Sequence, residues 1–478
     1  MSISTTFCFL RKPRFNRSPF PWRDFTASHL TKFAILLIIL AATRVPAAAQ
    51  AKPPNDAEIK KRMVNLVENR KKAPGVAVGL IDEKGARVFG AGVCETNGTN
   101  SVNGDTIFEI GSITKAFTGI LLQDMVDKGE LKLEDPISKF LPDSVKTPSR
   151  NGKEITLLDL ATQSSGLPRL PDNLSLLKAA SDNPYADYGP ELMYKFLSGY
   201  KLKRDIGEKY EYSNLGVGLL GHILELKAGK GFEALVIERI CSPLKMDSTR
   251  ITLSPALKAQ LAPGHNASGK SVGNWDFKAL AGAGAIRSSM NDMLRFLSAN
   301  MSATNTSLSA TLERSQKPRR DADAGRRIGL CWHINPDGVI WHNGGTGGYR
   351  SFMGFNKKSG RGVIVLANSA GAETDGLGMG ILGPTGEHKE TKLDAKLFDS
   401  YVGKYKLAPG AIMTISRDME RFFVQLTGQE KIEIFPEAET KFFCKVVDAQ
   451  ISFVKDAAGK VSHLILHQNG ADQKAPRQ

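Results

Sequence analysis

Strand-forming runs in this 478-residue chain fall into groups far apart in the sequence, and that separation narrows the possible folds more than any other feature. Gly75-Val76-Ala77-Val78-Gly79-Leu80-Ile81 reads as a buried strand, and a turn over Asp82 to Gly85 leads into a second strand, Arg87 to Val93, making a hairpin. A helical pattern over Asn55 to Lys71 precedes it. Strand signals return only at Ile328 to Ile334, Val339 to Gly344, Arg350 to Phe355 and Gly362 to Ala367, with turns at Asn335 to Gly338 and Lys357 to Gly360. Helices and loops fill the stretch between. The expected arrangement is α+β: one antiparallel sheet built from both ends of this region, flanked by helices, with a helical subdomain inserted. A site would lie where sheet and insertion meet.

Phe108-Glu109-Ile110-Gly111 runs strand-like into a helical pattern, and Ser112 and Lys115 stand three residues apart at that change. On a helix they share a face, which brings an amine within reach of a hydroxyl. A serine hydroxyl is a poor nucleophile at neutral pH. It needs a base beside it or a field that stabilises its anion, and a helix start offers free N–H groups and a positive dipole end. The pairing suits acyl transfer, although the same spacing occurs in ordinary capped helices.

Two later segments add to it: Tyr210-Glu211-Tyr212-Ser213-Asn214-Leu215-Gly216 and Trp341-His342-Asn343-Gly344-Gly345-Thr346-Gly347-Gly348. In order and spacing the three motifs resemble those of the serine β-lactamase and penicillin-binding protein family, in particular its class C branch with the related esterases and D-peptidases. Leu158 to Pro168 and Ala281 to Ser289 also look like family segments, and the resemblance spans roughly residues 55 to 385. It implies a β-lactamase/transpeptidase-like fold in which Ser112 attacks a substrate carbonyl. The N–H groups of Ser112 and Gly345 would form an oxyanion hole, with Gly344 and Gly345 letting the strand approach the substrate. Asn214 would hold Lys115 and the substrate's amide oxygen.

Lys115 and Tyr212 are both candidates for the base. Adjacent cations favour a phenolate, and a lysine crowded by donors gives up its proton, so the residues alone leave the choice open. His342 departs from the pattern of many β-lactamases, which carry a lysine there. A histidine is mostly neutral at pH 7, so carboxylate capture at this place is weaker. Gln163 is a second departure, where related segments commonly have His; the sequence supplies no mechanistic account of it.

The implied function is that of an exported serine hydrolase acting through an acyl-enzyme on D-amino-acid peptides, β-lactams or small esters. The expected partner is a small-molecule or peptide substrate, peptidoglycan-derived peptides included. A class C β-lactamase proper is one alternative, and a non-catalytic penicillin-recognising sensor or binding protein is another. The presence of Ser112, Lys115, Tyr212 and Asn214 together argues against the last.

Residues 1–51 read as a signal peptide: a basic stretch, an apolar run from Phe33 to Ala42 and small residues suited to cleavage after Ala49 or Ala51. Export to the periplasm or the extracellular space follows, with no stable membrane insertion once the signal is removed. The hydrolase-like domain spans 52–385, a charged, turn-rich linker 386–392, and a small C-terminal all-β barrel or sandwich 393–478, where apolar and polar residues alternate between Gly, Asp and Pro punctuation. Part of the net charge of +15 belongs to the leader, and the remainder shows no zinc-finger spacing or long basic block with aromatics, so no nucleic-acid partner is expected. Beyond Cys8 the cysteines are Cys94, Cys241, Cys331 and Cys444, mostly in apolar runs, which favours buried thiols over disulfides. There is no C-x-x-C pair and no His/Cys cluster, so neither a metal nor a cofactor is expected.

Overall fold

The computed structural model describes residues 53–95, 98–177, 183–323, 325–383, 390–429, 431–444, 449–468 and 471–478. The signal-peptide reading of 1–51 and residues 386–389 of the linker lie outside them. Among the described residues, no helix is long and apolar enough to cross a membrane.

Eight antiparallel strands form the first sheet, in the spatial order 85–92, 75–82, 361–367, 350–356, 340–345, 333–334, 327–328 and 320–321. The early strand Gly75–Asp82 pairs on one side with its hairpin partner (Val78 opposite Phe89) and on the other with the late strand Arg361–Ala367 (Val78 opposite Val365). The sheet therefore closes around the intervening helices, as expected. Successive side chains of a strand point to opposite faces, and both faces here are covered. Val76, Val78 and Leu80 pack with Ile59, Met63 and Ile381 of the helices Asp56–Val64 and Thr374–Leu382. Ala77 and Ile81 belong to the larger core shared with the helices Thr114–Asp127 and Met290–Asn300. Gly79 is required between them, since a Cβ there would lie 2.7 Å from Met290 Sδ.

Thr114–Asp127 is buried almost all round, which is how a helix at the centre of a core reads. Phe117 stacks on Phe296 of the neighbouring helix at 4.1 Å between ring centroids. A short 3-10 turn, Gly111–Ile113, precedes it, so Ser112 sits on the turn that enters the helix.

The expected strand Ile328 to Ile334 is broken. Arg327–Ile328 and His333–Ile334 instead form a tight hairpin, closed by Gly329 N–H donating to Trp332 O at 2.9 Å, with Cys331 at φ +62°. The reason is tertiary: Leu330 N–H donates to Ser315 O and Cys331 N–H to Ala161 O, so helical segments claim donors that a continuous strand would have used. Cys241, Cys331 and Cys444 are buried and Cys94 partly so; Cys94, Cys241 and Cys331 are free thiols.

The C-terminal domain is a second eight-stranded antiparallel sheet whose strands neighbour one another in chain order from Gly403–Ala408 to Ala471–Pro476. Its ends nearly meet: Tyr405 bridges to Arg477, and Gln478 N–H donates to Lys404 O at 2.9 Å, so the sheet is an almost closed barrel. Aromatic side chains fill it, with Phe398 stacked on Phe422 at 4.0 Å and Tyr401 on Phe453 at 4.5 Å. The last strand, Ala471–Pro476, is absent from the sequence reading because Ala-Asp-Gln-Lys-Ala-Pro carries neither alternation nor β-branched residues.

Candidate active site

Lys115 is fully buried, and its Nζ donates to Ser112 Oγ at 3.0 Å and to Ala283 O at 2.6 Å. Burial disfavours the ammonium form and brings its pKa down to about 7, with the Arg169 charge acting in the same direction. Nζ also lies 5.0 Å from the centroid of the Tyr212 ring. Tyr212 is pushed the other way: burial holds its phenol protonated well above the usual tyrosine range, against the opposing pull of the Ser112 hydroxyl and the Arg169 guanidinium.

The loop carrying Tyr212 is clamped from behind. Glu211 N–H donates to Gln163 O and Ser213 N–H to Gln163 Oε1, each at 2.7 Å, so one residue holds both neighbours of Tyr212. Gln163 is itself buried at φ +57°, a conformation that favours glycine or asparagine. Ser213 Oγ donates to Pro168 O at 2.6 Å and accepts from Gly216 N–H at 2.8 Å, capping the helix Asn214–Ala228. Asn214 opens that helix with its backbone N–H on Arg169 O at 2.9 Å. Its Oδ1 is buried without a partner among the described residues, and the acceptors that Lys115 uses are Ser112 and Ala283 rather than Asn214. The sequence reading gives Lys115 to Asn214; in the structure its second acceptor is instead Ala283 O, from the Ala281 to Ser289 segment.

The third motif ends the strand Ile340–Gly345, in which Gly344 pairs with Ser351, and Ser351 Oγ donates to Ile110 O at 2.8 Å. This strand and the turn bearing Ser112 are in backbone contact. A Cβ on Gly111, at φ +51°, would lie 2.6 Å from Gly345 N, and one on Gly344 would overlap Ile110 O. Glycine at these places brings the Gly345 amide beside Ser112.

His342 is buried and does not line the cavity. Its Nδ1 donates to Asn343 O at 2.6 Å, and its ring stands 6.4 Å from that of Tyr212 and 5.1 Å from that of His333. Burial, with Lys115 nearby, lowers its pKa to about 3, so it is neutral at physiological pH. The cations that line the cavity are Arg70, Arg169, Arg326 and Arg350, of which Arg169 and Arg350 lie beside motif residues. Arg169 places its guanidinium 4.9 Å from the Tyr212 ring centroid, and Arg350 lies against Gly345 with Nη1 on Thr346 O and Tyr349 O. Neither arises from a motif, since an arginine beside a motif has no spacing of its own to mark it. Asn343 Nδ2 donates to Asp375 Oδ2 at 2.6 Å, tying the middle of the third motif to the helix Thr374–Leu382.

Ser112, Tyr212, Asn214, Gly344 and Gly345 open into one cavity of about 1380 Å³, which extends to Leu426 and Ile432 of the C-terminal domain. Among the described residues, no group of three or more His, Cys, Asp or Glu side chains is arranged to hold a metal.

A helix-flanked sheet with this insertion, carried by a chain similar to known hydrolases, defines a serine-hydrolase-type enzyme that works through an acyl-enzyme. Within that class the chain belongs to the beta-lactamase family, which matches residues 59–383; a domain of unknown function, DUF3471, matches residues 387–476. It is 31% identical over 359 residues to the D-alanyl-D-alanine-carboxypeptidase/endopeptidase AmpH of Escherichia coli K12, an alignment covering 70% of this chain and 90% of that protein. It is 26% identical over 429 residues to penicillin-binding protein 4* of Bacillus subtilis 168, covering 81% and 91%. Among solved structures it resembles the β-lactamase/D-alanine carboxypeptidase of Yersinia pestis crystallised with citrate, at TM-score 0.56 and 25% identity over 66% of this chain and 94% of that one.

Proposed function

We propose that the chain is an exported serine acyl hydrolase acting on D-amino-acid peptides or small esters, with Ser112 as nucleophile and Lys115 as its general base. The observation that carries this is the 3.0 Å contact between Lys115 Nζ and Ser112 Oγ inside a buried pocket. A lysine with a pKa of about 7 is substantially neutral at physiological pH, so it can accept the serine proton as Oγ attacks the carbonyl. Tyr212, kept as a phenol, gives a proton to the leaving group and recovers one from the Lys115 ammonium formed in the attack, whose Nζ lies 5.0 Å from the centroid of its ring. The Ser112 and Gly345 N–H groups bind the oxyanion. Asn214 meets the substrate's amide, its buried Oδ1 having no other partner among the described residues. Likeness to a D-alanyl-D-alanine carboxypeptidase/endopeptidase supports peptide substrates.

A β-lactamase proper is the second reading: His342 carries no charge with which to hold a substrate carboxylate, and that task would fall to an arginine lining the cavity, such as Arg350. The leader 1–51 supports export, and we assign 52–385 to the hydrolase domain and 393–478 to the appended one. Exposure of the mature protein to a penicillin or an activated ester, followed by intact-protein mass spectrometry, tests the assignment. An adduct is expected that disappears in Ser112→Ala; an adduct that persists in the variant overturns it.

A further inference from the structure

We propose that the C-terminal domain completes the substrate cavity, Leu426 and Ile432 forming a distal apolar subsite for the part of the substrate remote from the reacting carbonyl. The proposal rests on the reading of Ser112 as nucleophile and extends it to a domain whose family carries no assigned function.

Leu426, Gly428, Gln429 and Ile432 line the same continuous cavity as Ser112, Tyr212 and Gly345. At about 1380 Å³ it exceeds the roughly 300–1,000 Å³ of a pocket for one drug-sized ligand, so it holds more than the acetyl or alanyl group at the point of reaction. Leu426 ends one strand and Ile432 begins the next, and the residues that follow Leu426 are tied by hydrogen bonds. Gln429 N–H donates to Leu426 O at 2.9 Å, Gly428 takes φ +76°, and Thr427 is tied to the neighbouring strand by N–H to Ile412 O and Oγ1 from Ile412 N–H, both at 3.0 Å. Leu426 and Ile432 rest partly on the barrel core yet remain partly exposed, and the exposed part faces the cavity. Two apolar side chains at the ends of adjoining strands, wet when the cavity is empty, gain by contact with apolar substrate surface. Contacts remote from the reacting bond are a source of binding energy that helps to orient the reacting centre. The occupant is therefore an apolar chain or side chain attached to the acyl group or to the leaving group.

The test uses the full chain and two ester series, one lengthening the acyl chain from acetyl to octanoyl and one lengthening the alcohol. In the parent, kcat/KM should rise with length in at least one series. In Leu426→Ala the long-to-short ratio of that series should fall by about tenfold, the scale of a lost apolar contact. Ile432→Ala, on the adjoining strand, provides the same measurement should Leu426→Ala melt early, and Leu426→Trp should lower the ratio by filling the space. A parent indifferent to length, or folded variants whose ratios stay within about twofold of the parent in both series, would sink the subsite. A parent that gains no adduct on Ser112 from any ester defeats the underlying mechanism instead, so the two failures are distinct.

Discussion

Lys115 is fully enclosed with two oxygen acceptors, neither of them a carboxylate. The titratable groups around it include Tyr212, His342, His333, Cys331 and Arg169, and of these only Arg169 is charged at neutral pH. A base works in its deprotonated form, so kcat/KM for a neutral ester should rise with pH through about 7 as Lys115 loses its proton. Removing a neighbouring cation makes the ammonium easier to keep, which raises the pKa. Arg169→Gln should therefore move this limb to higher pH, by less than about one unit because the guanidinium is exposed. A pH–rate profile of parent and variant decides it. A limb that appears only in the tyrosine range would assign the base to Tyr212, and a limb at 7 that does not move would remove Arg169 from the account.

At the scale of elements, the Tyr212 loop is held by a residue that belongs to another segment. Gln163→Ala deletes the acceptor of the buried Ser213 N–H while leaving the positive φ, so a stability loss of about 1–3 kcal/mol is expected. Because Tyr212 loses its fixed position while the cavity stays open, kcat should fall by about tenfold or more with little change in KM. Denaturant melts and steady-state kinetics on one ester separate the two effects; a destabilised variant with unaltered kcat would mean that the clamp is purely structural. The three motifs were legible in the sequence because each is a local pattern fixed by its own element: a turn into a helix for Ser112 and Lys115, a capped helix start for Asn214, a strand end for Gly344 and Gly345. The strands flanking them followed from apolar runs. What the sequence did not reveal is set by long-range contact: Ala283 O as the second acceptor of Lys115, Gln163 as a clamp, the broken strand at Cys331, and His342 turned into the interior beside His333. None of these depends on a residue's neighbours in the chain.

At the scale of the molecule, two cores meet over one cavity without merging. The clusters that enclose the first sheet end at Leu382, and the barrel's own cluster begins at Phe398. Every residue in the Ser112 constellation, including Gln163, Ala283 and Arg169, precedes that break. A chain ending at Gly383 should therefore keep its sheet, its two apolar clusters and the Lys115 to Ser112 contact, and lose only the far wall of the cavity. The expected outcome is retained acylation of Ser112 by a small activated ester, read by intact mass, in a protein that still melts cooperatively. Preference between long and short esters should weaken, since the groups that distinguish them leave with the barrel. A shortened chain that melts cooperatively but takes no label would show that the C-terminal domain supplies part of the reacting site itself. Loss of the melt would instead show that the hydrolase core needs the barrel to fold, contrary to the separation of their apolar clusters.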